Sequence, residues 1–110
     1  MSAKPNAEAE IQALLSDLWQ RHLPAMHERL AVLDRTAQSL IAGRLPEPQR
    51  EEAQSIAHKL AGNLGMFGYQ QAGSIASEIE QALKEQTPEL LKQVPHLTLK
   101  LREVLAPYLT

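Results

Sequence analysis

Six apolar side chains between positions 23 and 40 set the terms for any fold of this chain. Leu23, Met26, Leu30, Leu33, Ala37 and Leu40 follow a 3-4-3-4-3 spacing, which lays a continuous seam along one side of an α-helix. The rhythm returns near the C-terminus, where Leu90, Val94, Leu97, Leu101, Val104 and Tyr108 are spaced 4-3-4-3-4. Between them lie two more helical stripes, Ala53, Ile56, Ala57, Leu60 and Leu64, then Ala72, Ile75, Ala76, Ile79, Ala82 and Leu83. No strand-like alternation, hairpin turn signal or internal repeat interrupts the pattern.

Turn chemistry divides these stripes into helices over about 24–42, 47–65, 69–85 and 88–109. Gly43 sits where a C-terminal cap is expected, Pro46 and Pro48 suit the start of the next helix, and Gly65 to Gly68 make a turn. Thr87-Pro88-Glu89 reads as a cap, a first-turn proline and an acidic second position. Upstream, Ile11, Leu14, Leu15, Leu18 and Trp19 form one further amphipathic segment from about Asn6, its expected cap, to Arg21. Pro24 is expected to kink or restart the helix there, and Pro95 to kink the last one. Residues 1–5 are expected to be disordered. The predicted architecture is all-α: an antiparallel up-down four-helix bundle with an additional N-terminal helix, packed on one side or over one end so that Trp19 is buried. The 110 residues make a single domain.

Several function classes are disfavoured at once. With no cysteine there is no thiolate nucleophile and no disulfide or zinc-thiolate framework. A net charge of -2 without a basic stripe argues against nucleic acid as a partner. No apolar run approaches a membrane span, and the polar N-terminus lacks a signal-peptide core, so a cytoplasmic protein is expected. His22 and His27 are five residues apart, not the i, i+4 pair of a helix-borne metal site. Glu78 and Glu80 point about 200° apart on their helix, a poor acid–base pair, and are expected to be solvent-facing docking charges. The regular seams are accounted for by one intramolecular bundle, so the expected state is a monomer.

One residue stands apart. On a helical wheel the stripe of the 47–65 helix centres between Leu60 and Leu64, and His58 falls roughly 140° away, facing solvent. Gly62 at i+4 and Gly65 at i+7 share the His58 face. A glycine inside a helix costs about 1 kcal/mol relative to alanine, and the compensating benefit is access to the imidazole. Gln54 and Ser55 give it a short, uncharged surround, with Glu51 one layer back. Lys59 is about 100° round the helix, within reach of an anion by virtue of its long stem. A neutral imidazole offers one nitrogen as a nucleophile, and a surround without adjacent carboxylates suits an anionic reactant. On geometry alone, a merely solvated histidine, with Gly62 permitting close helix packing, accounts for the same pattern.

The run Ala57-His58-Lys59-Leu60-Ala61-Gly62-Asn63-Leu64-Gly65, followed by Met66-Phe67-Gly68 and a helix containing Ser77-Glu78-Ile79-Glu80, resembles the signature of histidine-containing phosphotransfer (HPt) domains. In that family an exposed bundle histidine is followed by leucine two residues on and glycine four residues on, here His58, Leu60 and Gly62. Many members carry lysine three residues after the histidine, where this chain has Ala61; Lys59 is the candidate replacement as phosphate-supporting cation. The resemblance implies a phosphorelay carrier of two-component signalling with no kinase activity of its own. His58 is then the phosphoacceptor, and Glu51, Gln54, Ser55, Gly62 and Gly65 serve access and docking. The implied partners are receiver domains of a hybrid histidine kinase or response regulators. The chain needs no cofactor, because Mg2+ belongs to the receiver. The alternative is a non-catalytic helical adaptor that binds a signalling partner through the same surface.

Overall fold

The computed structural model describes residues 4–110, and the described chain is helical without strands. Helix α1 spans Lys4–Ile41, α2 Glu47–Met66 and α3 Gln70–Glu85. A single turn, α4, covers Pro88–Leu91, and α5 covers Val94–Leu105 before a final 3-10 turn, Ala106–Tyr108. The bundle is built from α1, α2, α3 and α5, with α2 against α3 as its most extensive contact.

The predicted seams supply the core. Met26, Leu30, Leu33, Ala53, Ala57, Leu60, Leu64, Ile79, Leu83, Val94 and Leu101 are buried in one cluster. Leu105 and Thr98 join it from α5, while Tyr108, expected to close the last stripe, is 43% exposed. The buried hydroxyls of Thr36 and Thr98 donate to Val32 O and Val94 O one turn back, at 2.9 and 2.8 Å, so neither is left unpaired. Asp34 accepts from the Arg102 guanidinium and ties α1 to α5.

Three boundary expectations are corrected. Pro24 neither ends nor restarts the helix: α1 is one helix of 38 residues, and the expected N-terminal helix is its first half. Trp19 and Met26 are buried on either side of Pro24, and packing into one core holds the helix together where local preference would break it. At Pro95 the opposite happens. The chain leaves α4 through Lys92 and Gln93, and α5 starts afresh with Pro95 in its first turn, where a missing N–H costs nothing. Of the stretch expected to be disordered, residues 1–3 lie outside the described residues, whereas Lys4 and Pro5 open α1, placing Asn6 inside the helix and not at its cap.

Trp19 is buried as predicted, but not because a separate helix folds over the bundle. Its ring meets Phe67 and Tyr69 edge-on, with centroids 5.1 and 4.9 Å away, and Tyr69 stacks on Tyr108 at 4.5 Å. The indole Nε1 donates to Tyr108 O at 2.7 Å. Every aromatic residue of the chain therefore meets at one end of the bundle. Before that point α1 projects beyond it: all described positions from Ala7 to Leu18 are exposed.

Candidate functional site

Helix α2 positions the histidine. Pro46 enters in an extended conformation, Pro48 sits in the first turn, and Glu47 lies where the helix dipole favours an acid. Ala53, Ala57, Leu60 and Leu64 are fully buried, which fixes the rotation of the helix and turns His58 outward. The far end closes as a Schellman motif. Tyr69 N donates to Leu64 O at 2.9 Å and Gly68 N to Gly65 O at 3.1 Å, around Gly68 at φ +87°. That motif reverses the chain into α3.

The antiparallel α2–α3 register then sets what His58 meets. A Cβ on Gly73 would lie 3.4 Å from Ala61 O and 3.5 Å from Gly65 N, so the two backbones approach closely there. From the Gly65–Gly73 contact, seven residues back along α2 and seven forward along α3 bring His58 beside Glu80. His58 Nδ1 and Glu80 Oε2 are 2.9 Å apart, with the His58 side chain 75% exposed and that of Glu80 25% exposed. This corrects two sequence expectations: a carboxylate does stand beside the imidazole, and Glu80 is not a solvent-facing charge. A single helix's periodicity does not reveal which carboxylate the neighbouring helix will supply.

A carboxylate can only accept, so the imidazole proton rests on Nδ1. In the neutral ring the Nε2 lone pair is then unprotonated and directed away from Glu80. The arrangement leaves Nε2 open while a carboxylate sets the tautomer, a geometry that can serve a nucleophile by the orienting logic found in catalytic triads.

Glu47, Arg50, Glu51, Gln54, Ser55, His58 and Glu80 line one shallow polar groove. Glu51, Gln54 and Ser55 thus lie with His58; Lys59, Gly62 and Gly65 are exposed but do not line the groove. Arg50 was missed by sequence reasoning, although Arg50, Gln54 and His58 form an i, i+4, i+8 row that could have shown it. Its guanidinium donates to Glu47 at 2.9 and 2.5 Å, to Gln54 Oε1 at 2.8 Å and to Leu83 O at 2.9 Å. These bonds fasten α2 to α3 and hold the Glu47 carboxyl below its usual range, chiefly through the Arg50 hydrogen bond. Lys59 has no hydrogen bond or ion pair among the described residues.

The glycines divide by role. Nothing lies within 4 Å of a Cβ built on Gly62 or Gly65. Close helix packing therefore does not explain Gly62; the glycine at the α2–α3 contact is Gly73. Gly62 and Gly65 leave the face C-terminal to His58 open.

His22, on the other side of α2, is structural. Its Nε2 lies 3.1 Å from Arg29 Nη1 and 3.4 Å from Asn63 Nδ2, both donors, so the ring there must accept. Burial, with the Arg29 charge second, pushes its pKa below the ordinary value.

Comparison with known proteins bears on the whole assembly. The Hpt domain family model matches residues 10–106. Protein RcaC of Microchaete diplosiphon is 32% identical over 75 residues, which cover 68% of this chain and 12% of that protein. The chain thus corresponds to a small part of that relative's length. No solved structure matches the chain.

Proposed function

From the premise that the chain belongs to the Hpt domain family, we propose that it carries a phosphoryl group on His58 Nε2 between receiver-domain aspartates of a phosphorelay. The observation that carries this reading is the pairing of an outward-facing imidazole with Glu80 through Nδ1, beside a helix face left open by Gly62 and Gly65.

The Nε2 lone pair attacks the phosphorus of an aspartyl phosphate in line. The N–P bond forms as the bond to the aspartate oxygen breaks, and the aspartate leaves as a carboxylate. Because Nδ1 keeps its proton, the phosphorylated ring carries a positive charge, and the Glu80 carboxylate offsets it. From that cationic ring the group that leaves when the N–P bond breaks is neutral imidazole, with the bonding pair returning to Nε2, so the same pairing supports onward transfer to a second aspartate. Lys59, exposed beside His58, supplies a cation for the phosphoryl oxygens. Glu51, Gln54 and Ser55 form the lip against which a receiver docks. Magnesium belongs to that receiver.

A two-receiver relay tests the reading. Label starting on the aspartate of one receiver should reach a second only when this chain is present, and His58→Gln should abolish the passage. Relay unaffected by His58→Gln would overturn the proposal. Receiver binding indifferent to His58→Ala, without any transfer, would instead mark a non-catalytic adaptor.

A further inference from the structure

The projecting arm of α1 carries an apolar face that the bundle leaves largely uncovered, Leu15 alone bordering a recess beside Trp19, Phe67 and Tyr69. Ile11, Leu14, Leu15 and Leu18 are 58%, 60%, 37% and 41% exposed. At 1.5 Å per residue, positions 7 to 18 extend about 18 Å past the first buried residue, Trp19. Solitary exposed leucines are ordinary, but four on one stripe over two turns mark an interaction surface. The expectation of a monomer assumed that every seam was consumed internally, and this one is not.

The order of residues says what fits it. The stripe is symmetric about the midpoint of Leu14 and Leu15: Ile11 and Leu14 are three positions apart, and so are Leu15 and Leu18. Turning a second arm end for end places Leu14 against Leu15 and Ile11 against Leu18, so the face complements itself under a two-fold axis. The charges agree. Glu8 and Glu10 lie at one end of the stripe and Arg21 at the other, and Arg21 is 75% exposed in its pair with Asp17. In the antiparallel arrangement, Glu10 of one copy comes to within about one half-turn of the level of Arg21 of the other, on the same flank. A parallel pair would put glutamates against glutamates.

We infer that the α1 arm is a self-association surface, on which a second copy of this chain packs its own arm antiparallel. Four apolar side chains per copy bury less than the roughly 1,200–2,000 Å² of a stable complex. The pair is therefore weak and forms with rising concentration, in the micromolar range or above.

Sedimentation velocity of the full chain, from about 5 to about 500 μM, tests this. The expected result is a mass that moves from monomer toward dimer, and a dissociation constant raised about tenfold or more in Leu14→Glu. That variant should keep the wild-type circular dichroism melt, since Leu14 is 60% exposed and lies outside the core. Glu10→Lys should weaken the dimer, and adding Arg21→Glu should restore part of it. The chain has no cysteine, so introduced thiols report cleanly. A mixture of Ile11→Cys and Leu18→Cys should cross-link as the heterodimer in preference to either homodimer. A wild type that stays monomeric throughout, a dimer unmoved by Leu14→Glu, or preferential Ile11→Cys homodimers would overturn the proposal. So would a monomer whose phosphotransfer is slowed by Leu14→Glu, because the stripe would then belong to a receiver. The sedimentation and cross-linking outcomes do not depend on the phosphoacceptor reading; only the phosphotransfer outcome does.

Discussion

At the scale of single residues, His58 is defined by what touches it and by what does not. Glu80→Gln should leave the fold intact and slow phosphoryl transfer by about tenfold to a hundredfold. A buried carboxylate orienting a catalytic imidazole is worth about 10⁴, and Glu80 is partly solvated. Stopped-flow transfer rates alongside a denaturation curve would separate this effect from a stability loss; an unchanged rate would deny Glu80 an orienting role. At Gly62 the two effects of a side chain can be told apart. Gly62→Ala should stabilise the protein by up to about 1 kcal/mol, because its Cβ meets nothing. Gly62→Gln should keep the fold but slow transfer by crowding the imidazole, and unchanged kinetics would contradict the access argument. His58 and its two open glycines were legible in the sequence because they share one helix face. Glu80 was not, because its place depends on the register between two helices, set by the contact at Gly73.

At the scale of elements, the two internal prolines had opposite outcomes that local preference alone could not separate. Pro24 lies between Trp19 and Met26, both buried, and tertiary packing sustains α1 through it. Pro95 follows a single turn, α4, that has no buried residue to hold it in line, so the helix breaks. The seams themselves were legible because they depend only on spacing. It follows that Pro24 carries a helix-interior penalty. Pro24→Ala should raise stability by about 1–3 kcal/mol, measured by urea denaturation, and a loss of stability would mean that the proline shapes the bundle. Gly73→Leu, in contrast, should be strongly destabilising, since its added carbons meet α2 backbone, whereas Gly73→Ala should be tolerated at ordinary van der Waals distance.

At the scale of the whole molecule, one half of α1 completes the bundle and the other leaves it, with Trp19 at the junction. His22 lies on the bundle side and makes the assembly sensitive to pH. Its pKa is lowered in the folded state, so the unfolded chain binds the proton more readily. The resulting stability is full above the unfolded value near 6.5 and is lost as pH falls through the lower folded value. Denaturation midpoints should fall from about pH 7 to about pH 5 in the wild type and less steeply in His22→Gln; parallel profiles would contradict this. The arm was only half legible: its amphipathic spacing was visible, but the spacing does not say whether the bundle has room for it.

The central claim remains that His58 Nε2 accepts the phosphoryl group. The most direct measurement is to expose the chain to a panel of phosphorylated receivers and locate the modification by mass spectrometry under conditions that preserve phosphohistidine. One acid-labile phosphoryl group on His58 of the wild type, and none on His58→Gln, is the predicted result. Modification at another residue, or equal uptake by His58→Gln, would contradict it.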